Sequence, residues 1–223
     1  MSAEATPAVG SRAGRVLLWA LLILVVVLYG FPFVYLALTS FKAPMEAIAV
    51  PPTVIPQTWS LENYTIAIST FGVVPSFINS VTTAVISTVL SIVFAVPAAY
   101  AITRFKTKAG QLFVFSTLVT RMVPPVAIGI PLVMIMTGAG LRDTPTGLAL
   151  SHTAISLPLS IWLLTSFFDA VPIELEEAAA VDGASRLRTL VSVVAVSLKK
   201  NIAVAAIFAF LASWNEFLFA LLL

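Results

Sequence analysis

The residues able to do chemistry in this 223-residue chain are densest in one polar stretch, VPIELEEAAAVDGASRLRTLVSVVAVSLKK, from Val171 to Lys200. Four of the ten acidic residues, Glu174, Glu176, Glu177 and Asp182, stand there beside the basic Arg186, Arg188, Lys199 and Lys200. Their chemistry is recognition rather than catalysis. No nucleophile–base set can be assembled, and no GxxxxGK[ST] loop is present to cradle a nucleotide phosphate. With no cysteine and one histidine, neither a thiolate nor a histidine-based metal site is available. A net charge of +2 is too small to argue for nucleic acid.

A second set of polar groups interrupts long apolar runs: Asn79, Arg121, Asn215 and Glu216. Ionisable groups inside a membrane are costly and therefore read as functional by default. Arg121 lies ~16 Å into its run and Glu216 ~22 Å into its own, counted at 1.5 Å per residue. The reading is that Arg121 pairs with Glu216 or faces an aqueous pathway, with Asn79 and Asn215 as further pathway candidates. The plainer reading for Arg121 is snorkelling at a helix kinked by Pro124 and Pro125. For Asn215 and Glu216 it is interhelical hydrogen bonding without solute contact. His152, near the outer end of its run, reads as a packing residue.

The elements that position these groups follow from composition. The chain is 60% hydrophobic and 10% charged, with a mean hydropathy of +1.06. Soluble domains carry about a quarter charged residues, so this is an integral membrane protein bathed in lipid. Met1 to Gly14 reads as a disordered tail. Five apolar runs follow: Val16–Thr39, Phe77–Thr103, Leu112–Met136, Leu148–Phe168 and Ile202–Leu223. Each is long enough for the ~20 residues that cross a bilayer core, and helices are the default because lipid offers no backbone partners. The first run exceeds a signal-peptide core of ~7–15 residues, which favours an uncleaved span. Lys42 to Gly72, with four prolines, is not a span. Trp59 and Tyr64 suit an interface, and Ser60 is placed to cap a short helix.

Basic residues orient the chain. Nine fall in the tail, the second-to-third loop and the fourth-to-fifth loop, whereas only Lys42 and Arg142 fall in the other two loops. The positive-inside rule puts the N-terminus and Val171–Lys200 in the cytosol. Within that stretch Pro172 suits a first helical turn, and Glu174, Glu176 and Glu177 meet the positive end of the helix dipole. Asp182-Gly183 is a stop signal. Ser185 is placed to cap a second helix, with Leu187, Leu190, Val193 and Val194 on one apolar face. Physics alone leaves two readings open: a docking element for a soluble partner, or an amphipathic hairpin covering helix ends.

PIELEEAAAVDGAS resembles the EAA loop of ABC-importer permeases of the carbohydrate-uptake, maltose-type second-permease branch. LTSFK (Leu38–Lys42), LENY (Leu61–Tyr64), Asn79-Ser80, AAYAITRF (Ala98–Phe105), MVPP (Met122–Pro125), LPLSIWLLTSFF (Leu157–Phe168) and WNEF (Trp214–Phe217) resemble the same family in the same order. The resemblance implies an all-α, polytopic transmembrane bundle of the type I importer permease fold. One permease domain, 15–223, would follow the tail and carry a coupling loop at 171–200. It implies ATPase coupling through Glu174, Glu177, Ala178, Ala179, Asp182 and Gly183. It further implies a bacterial inner-membrane location and a path for a sugar or sugar-like solute. The partners implied are two ATP-binding subunits, a second permease subunit and an extracytoplasmic solute-binding protein, besides membrane lipid. ATP and Mg²⁺ would sit on the ATP-binding subunits, with no cofactor or enzymatic activity in this chain.

Three departures stand out. The family usually carries proline at the position of Val196 and often another at that of Lys200, and without them the helix into the fifth run is expected to be straighter and more continuous. Five spans are visible where the family usually has six, so a longer natural chain is expected. Arg121 replaces a neutral polar residue. An ion-coupled carrier would use Arg121 and Glu216 as a midplane site but leaves the polar loop unexplained. A non-transporting scaffold would use the same loop merely to recruit a partner.

Overall fold

The computed structural model describes residues 12–120 and 122–223. Arg121, with its expected partnership to Glu216, lies outside them. The described residues are helical throughout their ordered elements and divide into two compact units, one ending at Val74 and the other running from Pro75 to Leu223.

The first unit is one long helix and a tied loop. α1 (Arg12–Ser40) begins inside the segment expected to be tail. Its apolar side chains are mostly exposed, as befits a surface solvated by lipid tails. The loop beyond it has its own internal order. The Lys42 ammonium is buried, donates to the Thr53 carbonyl at 2.5 Å and lies 4.9 Å from the centre of the Tyr35 ring. A short helix, α2 (Pro44–Ala47), presents Glu46. Its carboxylate accepts from the Thr53 hydroxyl and the Gln57 N–H, both at 2.9 Å. These bonds, with the Gln57 N–H the strongest cause, hold the Glu46 carboxyl below its ordinary pKa. α3 (Glu62–Ser69) follows. Leu61, not Ser60, is its capping residue, although the Ser60 hydroxyl still accepts the Glu62 N–H at 3.1 Å.

The second unit is a bundle held by small residues. α4 (Val73–Phe105) enters it at Pro75 and buries Thr83, Ala84, Ser87, Ser91, Ala95, Ala99 and Thr103, one side of a helix at four-residue spacing. α5 (Lys108–Thr120) and α6 (Pro125–Gly138) divide the third apolar run into two shorter helices. Pro124 and Pro125 supply the physical reason, since proline excludes a preceding helical turn. α7 (Pro145–Asp169) lies at the centre and buries ten residues, seven of them Gly, Ala, Ser, Thr or His. Small side chains let helix backbones approach closely where lipid provides no hydrophobic drive. A buried hydrogen bond of 2.7 Å joins Ser91 to Ser156.

α8 (Glu174–Val181) and α9 (Arg186–Thr189) form the polar stretch. A π-helical turn (Leu190–Val194) and α10 (Ala195–Ser197) lead to α11 (Lys199–Trp214), and α12 (Leu218–Leu222) ends the described chain. The path from α9 through α10 meets α11 at 84°. This corrects the expectation of a straighter helix without proline. Tertiary burial makes the bend instead: Leu190, Val194 and Leu198 sink into one core with Ile161, Leu164, Phe168 and Val171. The same core separates Leu187 from its expected apolar face and leaves it 70% exposed. Three described helices are individually long and apolar enough to cross a membrane: α1 from Gly14, α4 and α7. The bent pair brings the number to four if it counts as one span.

Candidate docking surface and intramembrane polar cavity

At one end of α7 stands the polar stretch, built as a helix with two distinct faces. Ala179 is buried and Glu176 is partly buried, both turned toward the bundle. Glu174, Glu177, Ala178 and Val181 are exposed and fall at i, i+3, i+4 and i+7, one continuous outward stripe. Val181, at its tip, is 89% exposed. Pro172 precedes Ile173, the residue that caps α8, so it stands outside the expected first turn.

The helix ends by backbone chemistry. The Ala184 N–H donates to the Ala179 carbonyl at 2.9 Å and the Gly183 N–H to the Ala180 carbonyl at 3.0 Å. This is the Schellman arrangement, and Gly183 adopts its left-handed geometry at φ +80°. The Ser185 hydroxyl then caps α9 by accepting the Arg188 N–H at 3.4 Å.

Sequence reasoning left Glu176 out of the candidate set, yet it fixes the whole element. Its carboxylate accepts from Arg104 Nε at 2.5 Å and from the Tyr100 hydroxyl at 2.7 Å. Arg104 Nη2 also donates to the Val171 carbonyl at 3.1 Å. Both charged side chains are 13% exposed, so the pair is largely desolvated. The end of α4 and the start of α8 are thereby held together by charge-assisted bonds. Arg186 lies 5.2 Å from the centre of the Phe105 ring. Of the six coupling candidates, Glu174, Glu177, Ala178, Asp182 and Gly183 are exposed, and Ala179 packs inward.

About 26 Å along α7 from Asp169, at 1.5 Å per residue, His152 lies at the edge of a cavity of about 280 Å³. Asn79, Thr83, Ser213, Trp214 and Glu216 also line it. His152 Nδ1 hydrogen-bonds the Ser213 hydroxyl at 2.7 Å. Its Nε2 stands 3.2 Å from Glu216 Oε2, an ion-pair distance, but no hydrogen bond closes on that nitrogen. Glu216 Oε2 also accepts the Phe219 N–H at 2.8 Å, capping α12. Of the pathway candidates, Asn79 and Glu216 therefore meet at one cavity. Asn215 does not line it, and its amide donates to the Leu211 carbonyl of its own helix. His152, read from sequence as a packing residue, is a polar partner of α11 and of Glu216.

Residues 87–223, more than half of the chain, match the family described as binding-protein-dependent transport system inner membrane component. The chain belongs to that family. It is a multi-pass membrane permease subunit. A probable ABC transporter permease protein, y4oR of Sinorhizobium fredii, is 36% identical over 214 residues, covering 96% of this chain and 76% of that protein. The trehalose transport system permease protein SugB of Mycobacterium tuberculosis is 32% identical, covering 94% of this chain and 76% of its own length. The fold is shared with a chain of a solved bacterial ABC transporter involved in import of the acidic polysaccharide alginate. The TM-score is 0.82 at 22% identity, over 100% of this chain and 78% of that one. Family membership sets aside the secondary-carrier and scaffold readings.

Proposed function

We propose that this permease subunit forms half of the translocation path of an ATP-driven importer for a sugar or sugar-like solute. Its α8–α9 element docks an ATP-binding subunit, with ATP and Mg²⁺ held there. One observation carries the docking role. The outward stripe Glu174, Glu177, Ala178 and Val181 is presented by a helix whose inward face is fixed to α4 through Glu176. Movement of the stripe would therefore pass into the bundle through a charged joint rather than being lost in a flexible loop. The skew of basic residues supports a cytosolic N-terminus and a cytosolic α8. The sugar assignment draws its support from relatives such as the trehalose permease. A second permease subunit and an extracytoplasmic solute-binding protein complete the proposed assembly, in line with a family named for binding-protein-dependent transport.

Purification of the tagged chain from detergent-solubilised membranes tests the reading. Wild type should bring down an ATP-binding subunit, and Glu177→Arg should lose it by reversing charge on the stripe. Gly183→Pro should also lose it, because φ +80° is closed to proline. Correct membrane insertion with no ATP-binding subunit in any sample would overturn the docking role.

A further inference from the structure

The loop that follows α1 is built inside out. Lys42 is 1% exposed and donates to the Thr53 carbonyl. The Thr53 hydroxyl donates to Glu46, whose carboxylate also takes the Gln57 N–H. Around this small polar centre the apolar side chains point away. Val50 is 93% exposed, and Met45, Ile48, Val54 and Ile55 are exposed with it. In water such a loop loses twice, by enclosing a charge and by leaving large apolar groups wet. Against an apolar surrounding both terms change sign.

The composition of the loop says which apolar surrounding. Glu46 and Thr53 are the only polar side chains from Ala43 to Pro56, and both are engaged within the loop. Pro44, Pro51, Pro52 and Pro56 have no N–H to donate. A protein partner would find few groups to bond, whereas protein interfaces carry about one hydrogen bond per 100–200 Å². Lipid asks for none, and a backbone poor in N–H groups has less to leave unpaired there.

The position of the loop agrees. It is latched to the last turns of α1. The Lys42 ammonium reaches back to the Tyr35 ring, ~7.5 Å before Ser40 along the helix at 1.5 Å per residue. The Ser60 N–H donates to the Phe41 carbonyl and the Asn63 amide to the Lys42 carbonyl, both at 2.8 Å. The Tyr64 and Ser40 hydroxyls share a hydrogen bond of 2.7 Å. The Trp59 and Tyr64 rings pack on Phe41. These ties hold the loop at the level where α1 leaves the hydrocarbon core, and Trp and Tyr are the rings enriched at that level.

We propose that residues 43–56 are an interfacial anchor. Met45, Ile48, Val50, Val54 and Ile55 enter the boundary between headgroups and acyl chains of the leaflet at which α1 ends. Gln57 and Glu62, both exposed, face water. The partner is the phospholipid surface itself, and the anchor sets the level of α1 in the bilayer.

Because the chain has no cysteine, single ones can replace Ile48, Val50 or Gln57 and carry a bimane label. Each position is exposed, which leaves the loop's internal bonds intact. The complete transporter is placed in nanodiscs of phosphatidylcholine, either plain or brominated near the head of its acyl chains. Labels at Ile48 and Val50 should lose emission in brominated lipid and ignore iodide added to the buffer. The label at Gln57 should do the reverse. Iodide quenching at Ile48 and Val50 without quenching by brominated lipid would place them in water and overturn the anchor. Protection of both from either quencher would place them beneath a partner protein and overturn it equally.

Discussion

Replacing Glu176 by alanine removes the acceptor for two donors at once, Arg104 Nε and the Tyr100 hydroxyl. Breaking a fully buried ion pair costs ~3–5 kcal/mol because the surviving charge is left unpaired. Each partner here retains 13% exposure, so the lower figure of about 3 kcal/mol applies. If α8 opens locally from α4, that cost raises its opening equilibrium about a hundredfold. Hydrogen–deuterium exchange of the α8 amides in nanodiscs reads this directly. Glu176→Ala should speed exchange by about two orders of magnitude. Tyr100→Phe, losing one bond to a charged acceptor, should speed it by about one order. Arg104→Ala should resemble Glu176→Ala, and the double variant should be less than additive because the two residues share one interaction. Exchange in Glu176→Ala within threefold of wild type, or strict additivity of the pair, would refute the joint. The threefold limit is set at roughly 0.6 kcal/mol, well below the worked value.

Three further perturbations follow from other sites. Gly147→Ala places a methyl 2.1 Å from the Leu141 carbonyl oxygen at the start of α7. It should sharply reduce the yield of monodisperse protein, as size-exclusion chromatography would show. Ser91→Ala and Ser156→Ala each delete one side of a buried interhelical bond. Each should lower thermal stability by roughly 0.6–1.7 kcal/mol with strong non-additivity between them. The Glu46 carboxyl is held low by the Gln57 N–H, so its contribution to the loop is present above the ordinary carboxylate pKa. That contribution fades as pH falls through the lowered folded-state value. Protease sensitivity of residues 42–60 should rise at acid pH, and Glu46→Gln should show that rise already at neutral pH.

Lipid makes long helices easy to read and their partners hard. α1, α4 and α7 announce themselves because a membrane core tolerates only continuous apolar helix over such lengths. Asp182-Gly183 announces a stop because a left-handed residue is a local requirement. The 84° bend before α11 had no such local sign. Its cause is burial of Leu190, Val194 and Leu198 against residues of α7, and missing prolines pointed the other way. Glu176 and Arg104 are far apart in sequence, and nothing near either one names the other. His152 carried one legible signal, as a lone histidine in an apolar run, but its partners come from elsewhere in the chain, Ser213 from α11 and Glu216 from the break between α11 and α12.

The central claim is that the outward stripe of α8 meets an ATP-binding subunit. The chain contains no cysteine, so a single one can be placed at will. Val181→Cys, at a position 89% exposed, would carry a photoactivatable cross-linker in the assembled transporter. Val27→Cys, on the exposed flank of α1, is the control. A covalent adduct with an ATP-binding subunit from the Val181 position, and none from the Val27 position, is the predicted result. Adducts from neither position, or only from Val27, would contradict the account.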